Sequence, residues 1–151
     1  MNAKVIWQEG LAFAGVANKG HEIQLNSNSN EGAASPTELV ALALAGCTAM
    51  DVISILQKKH EKVTSFEVKA HVARSTEYPK VFTKAELEYV VVGHNVKEES
   101  LRRAIELSVT KYCPVHAMME KVFPIDLHYS IHEDEGDGKQ RLVKHGTYQH
   151  H

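Results

Sequence analysis

Apolar and polar residues alternate in three short segments near the start of the chain, separated by turn residues. A period of two is typical of a β-strand with one buried face. We therefore predict three antiparallel strands, which contain Val5 with Trp7, Leu11 with Phe13, and Ile23 with Leu25. The segment that follows, residues 26–35, is rich in Asn, Ser and Gly and is predicted to be a loop.

The pattern changes at Ser35, where the residues S-P-T-E begin a long apolar helix. Ser35 suits the N-cap, Pro36 the first helical position, and Glu38 the third position, where it completes a capping box. The helix is predicted to end near Lys59. From Leu39 to Ala45 it is apolar on every side, which is typical of a helix that is buried all round. We therefore expect it to be shared with a second subunit in a homodimer.

The second half of the chain shows both the period of two that is typical of strands and the spacing of three to four residues that is typical of helices. Strands are predicted at residues 66–72 and 82–92, joined as a hairpin by a fairly long connection that contains Tyr78 and Pro79. An amphipathic helix comes next, and its buried face is formed by Leu101, Ala104, Ile105, Ser108 and Val109.

Pro114 divides the end of this helix from a new element. It disfavours helical backbone at Cys113, so the first helix should stop near Tyr112 and a short one should begin at Pro114. A last strand is predicted at residues 127–131. We therefore expect a single domain at residues 1–133 and a loose polar C-terminal tail at residues 134–151.

Composition changes this picture little. The chain has 151 residues, 43% of them hydrophobic, and a formal net charge of -2, which fits one soluble domain and indicates no nucleic-acid partner. The first residues lack the apolar stretch of a secretory signal, and Thr48 and Asp51 interrupt the longest apolar run, so we expect a cytoplasmic protein without a membrane span. In a reducing compartment, its two cysteines are more often buried, metal-binding or redox-active than permanently bridged.

The local physics of the two cysteines leaves both packing and chemistry open. Cys113 is predicted to be the N-cap of the helix that begins at Pro114, where backbone N–H groups and the helix dipole would lower the pKa of its thiol. Cys47 lies inside the long helix, unless Gly46 breaks that helix and gives it a local start. Asp51, four residues later on the same face, would raise the pKa of the Cys47 thiol.

Histidines offer two further interpretations. Cys47, Cys113, His116 and His21 are suitable zinc ligands, but no compact spacing of the kind found in zinc sites supports a metal centre. His116, at the third position of the short helix, is either a hydrogen-bonded structural residue or a proton shuttle.

Two segments together indicate a family. S-P-T-E-L-V-A-L-A-L-A-G-C, residues 35–47, followed by K-Y-C-P-V, residues 111–115, resembles the OsmC/Ohr family of osmotically inducible and organic hydroperoxide resistance proteins. The resemblance extends from Val5 to about Ile131 and is strongest to the YhfA-like branch. It implies an intertwined α+β dimer, with the long central helices packed together and active sites at the subunit interface.

The resemblance also implies a thiol reaction, for which we expect no cofactor. Cys47 would attack an organic hydroperoxide as a thiolate and become a sulfenic acid. Cys113 would then condense with it to a disulfide, which a dithiol reductant such as a lipoyl protein or a thioredoxin-like protein would reopen. The alternative that we keep is a non-catalytic protein of the same fold that binds a small hydrophobic ligand.

The chain departs from the family pattern in two places. Family members place an arginine from the N-terminal region beside the reactive thiol, but no arginine precedes Arg74 here. Lys19, His21 and the partner subunit's Arg74 are the candidate replacements. The family's glutamate follows the proline directly, where this chain has Thr37. Glu38 is one residue later, which rotates its side chain around the helix, so we favour a capping role for Glu38 over a catalytic one.

Overall fold

The structure is a computed structural model that describes residues 1–27 and 32–149. The chain divides into two compact units, Met1–Leu42 and Ala43–His151, and the boundary falls inside the long helix. The first unit is a three-stranded antiparallel sheet in the order β1-β2-β3, followed by the first residues of helix α1. Its elements are β1 (Ala3–Glu9), β2 (Ala12–Ala17), β3 (Ile23–Leu25) and the start of α1 (Pro36–Lys58). The three predicted N-terminal strands are confirmed.

The second unit contains the rest of α1 and a four-stranded sheet in the order β4-β5-β6-β7. Strands β5 and β6 are parallel, and the other two pairs are antiparallel. Its further elements, in chain order, are β4 (Lys62–Arg74), β5 (Phe82–His94), α2 (Glu98–Leu107), a π-helix (Ser108–Tyr112), α3 (Pro114–Met119), β6 (Ile125–Gly136) and β7 (Lys139–Tyr148).

Helix α1 begins with the predicted capping box. The backbone N–H of Glu38 donates to the Ser35 hydroxyl at 3.2 Å, and the Glu38 carboxylate accepts the backbone N–H of Ser35 at 3.1 Å. The helix passes through Gly46 without a break, so Cys47 has no local helix start. Contrary to the sequence expectation, α1 is long and apolar enough to cross a membrane, which is weak support for a span because core helices of soluble proteins meet the same criterion.

The core of the second unit lies where the two long helices and one face of the sheet bring apolar side chains together. Strand β5 shows the alternation clearly, because Leu87, Tyr89 and Val91 are fully buried. Helices α1 and α2 and strand β6 complete this cluster with Leu44, Val52, Leu56, Leu101, Ile105, Leu127 and Ile131. The core therefore fixes one face of α1 against the elements that carry the second cysteine.

The prediction of a loose C-terminal tail was wrong. Strand β6 continues to Gly136, and β7 pairs with it antiparallel through a tight turn at Asp137 and Gly138. Both turn residues have positive φ, 53° and 75°, which is the backbone of a type I′ hairpin and suits an Asp-Gly pair. The end of the expected tail, residues 150–151, lies outside the described residues, and the expected domain of residues 1–133 stays a prediction.

Candidate active site

The two thiols of the chain lie next to each other. Cys47 is half-buried on α1, and Cys113, 3% exposed, follows the last residue of the π-helix. Their side chains interact, and both cysteines are free thiols. The fold has therefore brought together two residues that are 66 positions apart, the difference between 113 and 47.

Cys113 is held by its own backbone neighbourhood. Its N–H donates to the carbonyl oxygen of Ser108 at 2.8 Å, which closes the π-helix. Its sulfur accepts the N–H of His116 at 3.3 Å, so it is the N-cap of α3, as predicted. The accompanying prediction of a lowered pKa was wrong: burial and the neighbouring Cys47 raise the pKa of the Cys113 thiol, and they outweigh the lowering effect of the His116 N–H.

A chain of buried hydroxyl groups lies beside the thiols. The Thr48 hydroxyl is 2.8 Å from the hydroxyls of both Tyr89 and Ser108, and Ser108 donates to the Asp51 carboxylate at 2.9 Å. Thr48, Ser108 and Tyr89 are each fully buried. Burial raises the pKa of the Tyr89 phenol, with Cys113 and Asp51 adding to the effect, so this phenol keeps its proton.

His116 lies at the third position of α3 and is 1% exposed. Its Nδ1 is 3.9 Å from the Glu120 carboxylate, one turn later. The backbone N–H of His116 is the atom that contacts the Cys113 sulfur. The structure thus brings this predicted residue to the site through its main chain.

Known proteins of similar sequence place the chain in a family. The family model described as OsmC-like protein matches residues 28–140, which is more than half of the chain. The chain belongs to the OsmC-like family. Protein YhfA of Escherichia coli (strain K12) is 43% identical over 131 residues, which is 87% of this chain and 98% of YhfA.

Solved structures agree with this assignment. A hypothetical protein from Aquifex aeolicus VF5 is 27% identical and superposes with a TM-score of 0.79 over 89% of this chain and 97% of its own. An organic hydroperoxide resistance protein from Elizabethkingia anophelis is 17% identical and shares the fold, with a TM-score of 0.61 over 87% of this chain and 94% of its own. The α+β, OsmC-like fold expected from the sequence is confirmed.

The remaining candidate residues are exposed on the surface. Lys19, His21 and Glu38 belong to the first unit and are exposed, and their proximity to Cys47 stays a prediction. Arg74 is exposed at the end of β4, where its Nε donates to the carbonyl oxygen of Lys80 at 3.0 Å. Its role beside a partner's thiol also stays a prediction.

The zinc alternative finds no support in the described part of the chain. No group of three or more His, Cys, Asp or Glu side chains there has an arrangement that could hold a metal ion. Cys47 and Cys113 do lie together, but two thiolate ligands alone do not complete the tetrahedral set of a structural zinc site.

Sequence reasoning missed the hydroxyl chain and the π-helix. Two signals pointed to them: Thr48 and Asp51 are polar residues in an apolar helix, and Ser108 occupies a position on the apolar face of α2 and its continuation. A buried polar group needs a hydrogen-bond partner, so three such residues in two apolar faces indicate that they bond to one another.

Proposed function

We propose that this protein is a cysteine-based peroxidase that reduces organic hydroperoxides. The observation that carries the proposal is the proximity of Cys47 and Cys113, because it brings a half-buried thiol next to a buried one. A thiol that keeps its proton is a poor nucleophile, so the raised pKa of Cys113 favours Cys47 as the attacking residue. Membership of a family that includes organic hydroperoxide resistance proteins supports the substrate class.

In the first step, the Cys47 thiolate attacks the terminal peroxide oxygen of ROOH. The S–O bond forms as the O–O bond breaks, the sulfur is oxidised to a sulfenic acid, and the alkoxide takes a proton to leave as an alcohol. Stabilising the departing oxygen requires a cation or a proton donor. Lys19, His21 and the partner subunit's Arg74 are the candidates, as no arginine precedes Arg74.

In the second step, the sulfur of Cys113 attacks the sulfur of the Cys47 sulfenic acid. The disulfide forms, and the Cys113 proton and the sulfenic hydroxyl leave as water. A dithiol reductant, such as a lipoyl protein or a thioredoxin-like protein, then restores both thiols and becomes a disulfide itself. Free thiols and thiol reductants fit the cytoplasm, where we place this chemistry.

We further propose that the working form is a homodimer. Strand β1 exposes Val5, Ile6 and Trp7 by 61%, 49% and 65%, and Met50 of α1 is 74% exposed. Side chains alternate between the two faces of a strand, so β1 exposes apolar side chains on both faces, which is typical of a segment that a partner covers. A second copy would cover such residues and place its own side chains near the thiols.

The proposal is tested by treating the reduced protein with one equivalent of cumene hydroperoxide and counting free thiols by mass. Peroxidase chemistry predicts that both thiols disappear and that the mass falls by two hydrogens, because one intramolecular disulfide forms. Cys113→Ser is the control that should instead gain one oxygen. Two intact thiols in the wild type, with the hydroperoxide unconsumed, would overturn the proposal.

That outcome would favour the second candidate, a protein that binds a small hydrophobic ligand. The observation behind it is a groove of about 350 Å³ in the first unit. Its lining is apolar except at residues 26 and 27 and consists of Val5, Leu11, Phe13, Leu25, Asn26, Ser27 and Pro36. Retention of a fluorescent fatty acid by the wild type and its loss in Phe13→Asp would support this candidate.

A further inference from the structure

We propose that Ser108 is a positioning residue that, through Asp51 and Thr48, holds the segment carrying Cys113 in disulfide register with Cys47. The inference rests on the proposed pairing of the two thiols and assigns the residue that makes this pairing precise. We assign Ser108 no direct part in the reaction of the thiols or of the peroxide. It acts through the position that it gives to Cys113.

Ser108 is bonded to both cysteine-bearing elements at once. Its hydroxyl lies 2.8 Å from the Thr48 hydroxyl and donates to Asp51 at 2.9 Å, and both partners are on α1 with Cys47. Its carbonyl oxygen accepts the N–H of Cys113 at 2.8 Å. A short path therefore runs from Cys47 to its neighbour Thr48, across to Ser108, and from Ser108 to Cys113.

The π-helix explains why such a tie is needed. The bond from Cys113 to Ser108 spans five residues, one more than in an α-helix, and π-helices are rare, short and often found at functional sites. The wider turn sets the direction in which the chain leaves Ser108. Because Ser108 is the first residue of the π-helix, bonding it to α1 also sets the position of Cys113 at the other end of that turn.

Burial makes the tie rigid. Ser108 and Thr48 are fully buried, so water cannot replace a bond that is lost between them. The Thr48 hydroxyl also bonds to Tyr89, which lies in the centre of the sheet. Disulfide formation requires two sulfurs in a narrow geometry, so small displacements of Cys113 lower the effective concentration of one thiol at the other.

The test is the disulfide equilibrium of Ser108→Ala, measured by equilibrating the protein with dithiothreitol redox buffers and trapping free thiols. We expect about tenfold less disulfide at a given buffer composition, which corresponds to about 30 mV for a two-electron couple. Ser100→Ala is the matched control, because Ser100 is also buried and donates to a carboxylate, that of Glu61, at 2.7 Å. It should leave the equilibrium unchanged.

A purely structural role for Ser108 would lower the melting temperature in both variants and shift the disulfide equilibrium in neither, which would overturn the inference. Where Ser108→Ala does not fold, Thr48→Val removes one of the two links from α1 to Ser108 and should give a smaller shift in the same direction. An unchanged equilibrium in that variant would overturn the inference as well.

The same measurement separates this inference from the proposed function, because the redox buffers contain no peroxide. A wild type that forms the disulfide but consumes no hydroperoxide contradicts the peroxidase alone and leaves Ser108 to be judged by its own shift. A wild type that never forms the disulfide contradicts both.

Discussion

The backbone N–H of His116 donates to the sulfur of Cys113 at 3.3 Å, and yet the pKa of that thiol is raised. The N-cap geometry stabilises a thiolate, as expected at a helix start. Burial removes water from the sulfur and disfavours its charge, and the neighbouring Cys47 adds to the effect. The balance leaves Cys113 as the proton-holding partner of the pair.

Removing Cys47 should therefore lower the pKa of Cys113. In Cys47→Ala, the neighbouring thiol that raises this pKa is absent, while burial remains, so we expect a pKa below that in the wild type. Thiolate absorbance in the ultraviolet, followed against pH, measures the change. Cys113→Ala gives the background, and an identical Cys113 titration with and without Cys47 would contradict the prediction.

Stability should fall in alkaline solution because of the same thiol. Unfolding returns the thiol to its ordinary pKa of 9.0, below the raised value in the folded state. Below about pH 9 neither state ionises and the stabilisation is complete, whereas at higher pH the unfolded state alone loses its proton. One such proton lowers the free energy of unfolding by about 1.4 kcal/mol per pH unit until the pH reaches the folded pKa.

Urea unfolding of the fully reduced protein at a series of pH values, at constant protein concentration, measures this slope. In Cys113→Ser the loss should begin later, near the ordinary pKa of 10.0 of the tyrosine phenol, because Tyr89 is also buried with a raised pKa. A wild type and a variant that lose stability in parallel from pH 9 would contradict the assignment to Cys113.

The sequence predicted the elements that show a regular apolar spacing and missed the last strand, which shows none. The residues S-P-T-E-L-V-A-L contain the capping box of α1 and the start of its apolar run. The observed bounds of α1 agree with the predicted ones within one residue. Strand β7 is an edge strand whose side chains are almost all exposed, so no period of two identifies it. The Asp-Gly pair at residues 137–138 was the remaining signal.

The sequence indicated that the two cysteines form a pair, and the structure places them together, but the sequence did not indicate the charge state of Cys113. The family motif gives Cys47 and Cys113, and the proline after Cys113 gives the helix cap. Whether a thiol at an N-cap is more or less acidic depends on the water around it. The sequence does not show that Cys113 is only 3% exposed. The π-helix was missed because it is a single wide turn that continues α2, and so short a change does not alter the helical spacing of the apolar residues.

Thr48→Val should destabilise the protein by about 1–3 kcal/mol, although the two side chains have nearly the same shape. The substitution removes the hydroxyl that bonds to both Tyr89 and Ser108 in a fully buried environment. Urea unfolding at neutral pH measures the loss. Thr64→Val, at an exposed position where the hydroxyl bonds to the Val92 carbonyl at 3.3 Å, is the control and should change stability by less than about 0.5 kcal/mol. Equal losses in both variants would deny the hydroxyl chain its role.

Met50→Glu should separate the proposed dimer into monomers. Met50 is 74% exposed in a single chain, so a charge there costs the isolated fold little but is expensive when a second subunit covers it. Light scattering at micromolar concentration gives the mass. Val143→Glu, at a 51% exposed apolar position on β7, is the control that should stay dimeric. A wild type that is itself a monomer would contradict the dimer outright.

The order of the two cysteines is decided by single substitutions treated with cumene or tert-butyl hydroperoxide. Cys113→Ser cannot form the disulfide, so the sulfenic acid should persist on Cys47 and react with a dimedone-type probe. Cys47→Ser leaves a buried thiol with a raised pKa, and hydroperoxide consumption should fall to the background rate, because few of these thiols are ionised near neutral pH.

Raising the pH provides the internal control for that last variant. If the protonated state of Cys113 is what silences Cys47→Ser, slow consumption should return as the solution becomes more alkaline and the Cys113 thiolate is populated. The double variant Cys47→Ser with Cys113→Ser should stay inactive at every pH. Full activity of Cys47→Ser near neutral pH would reverse the order, making Cys113 the attacking residue despite its burial and leaving Cys47 as its resolving partner.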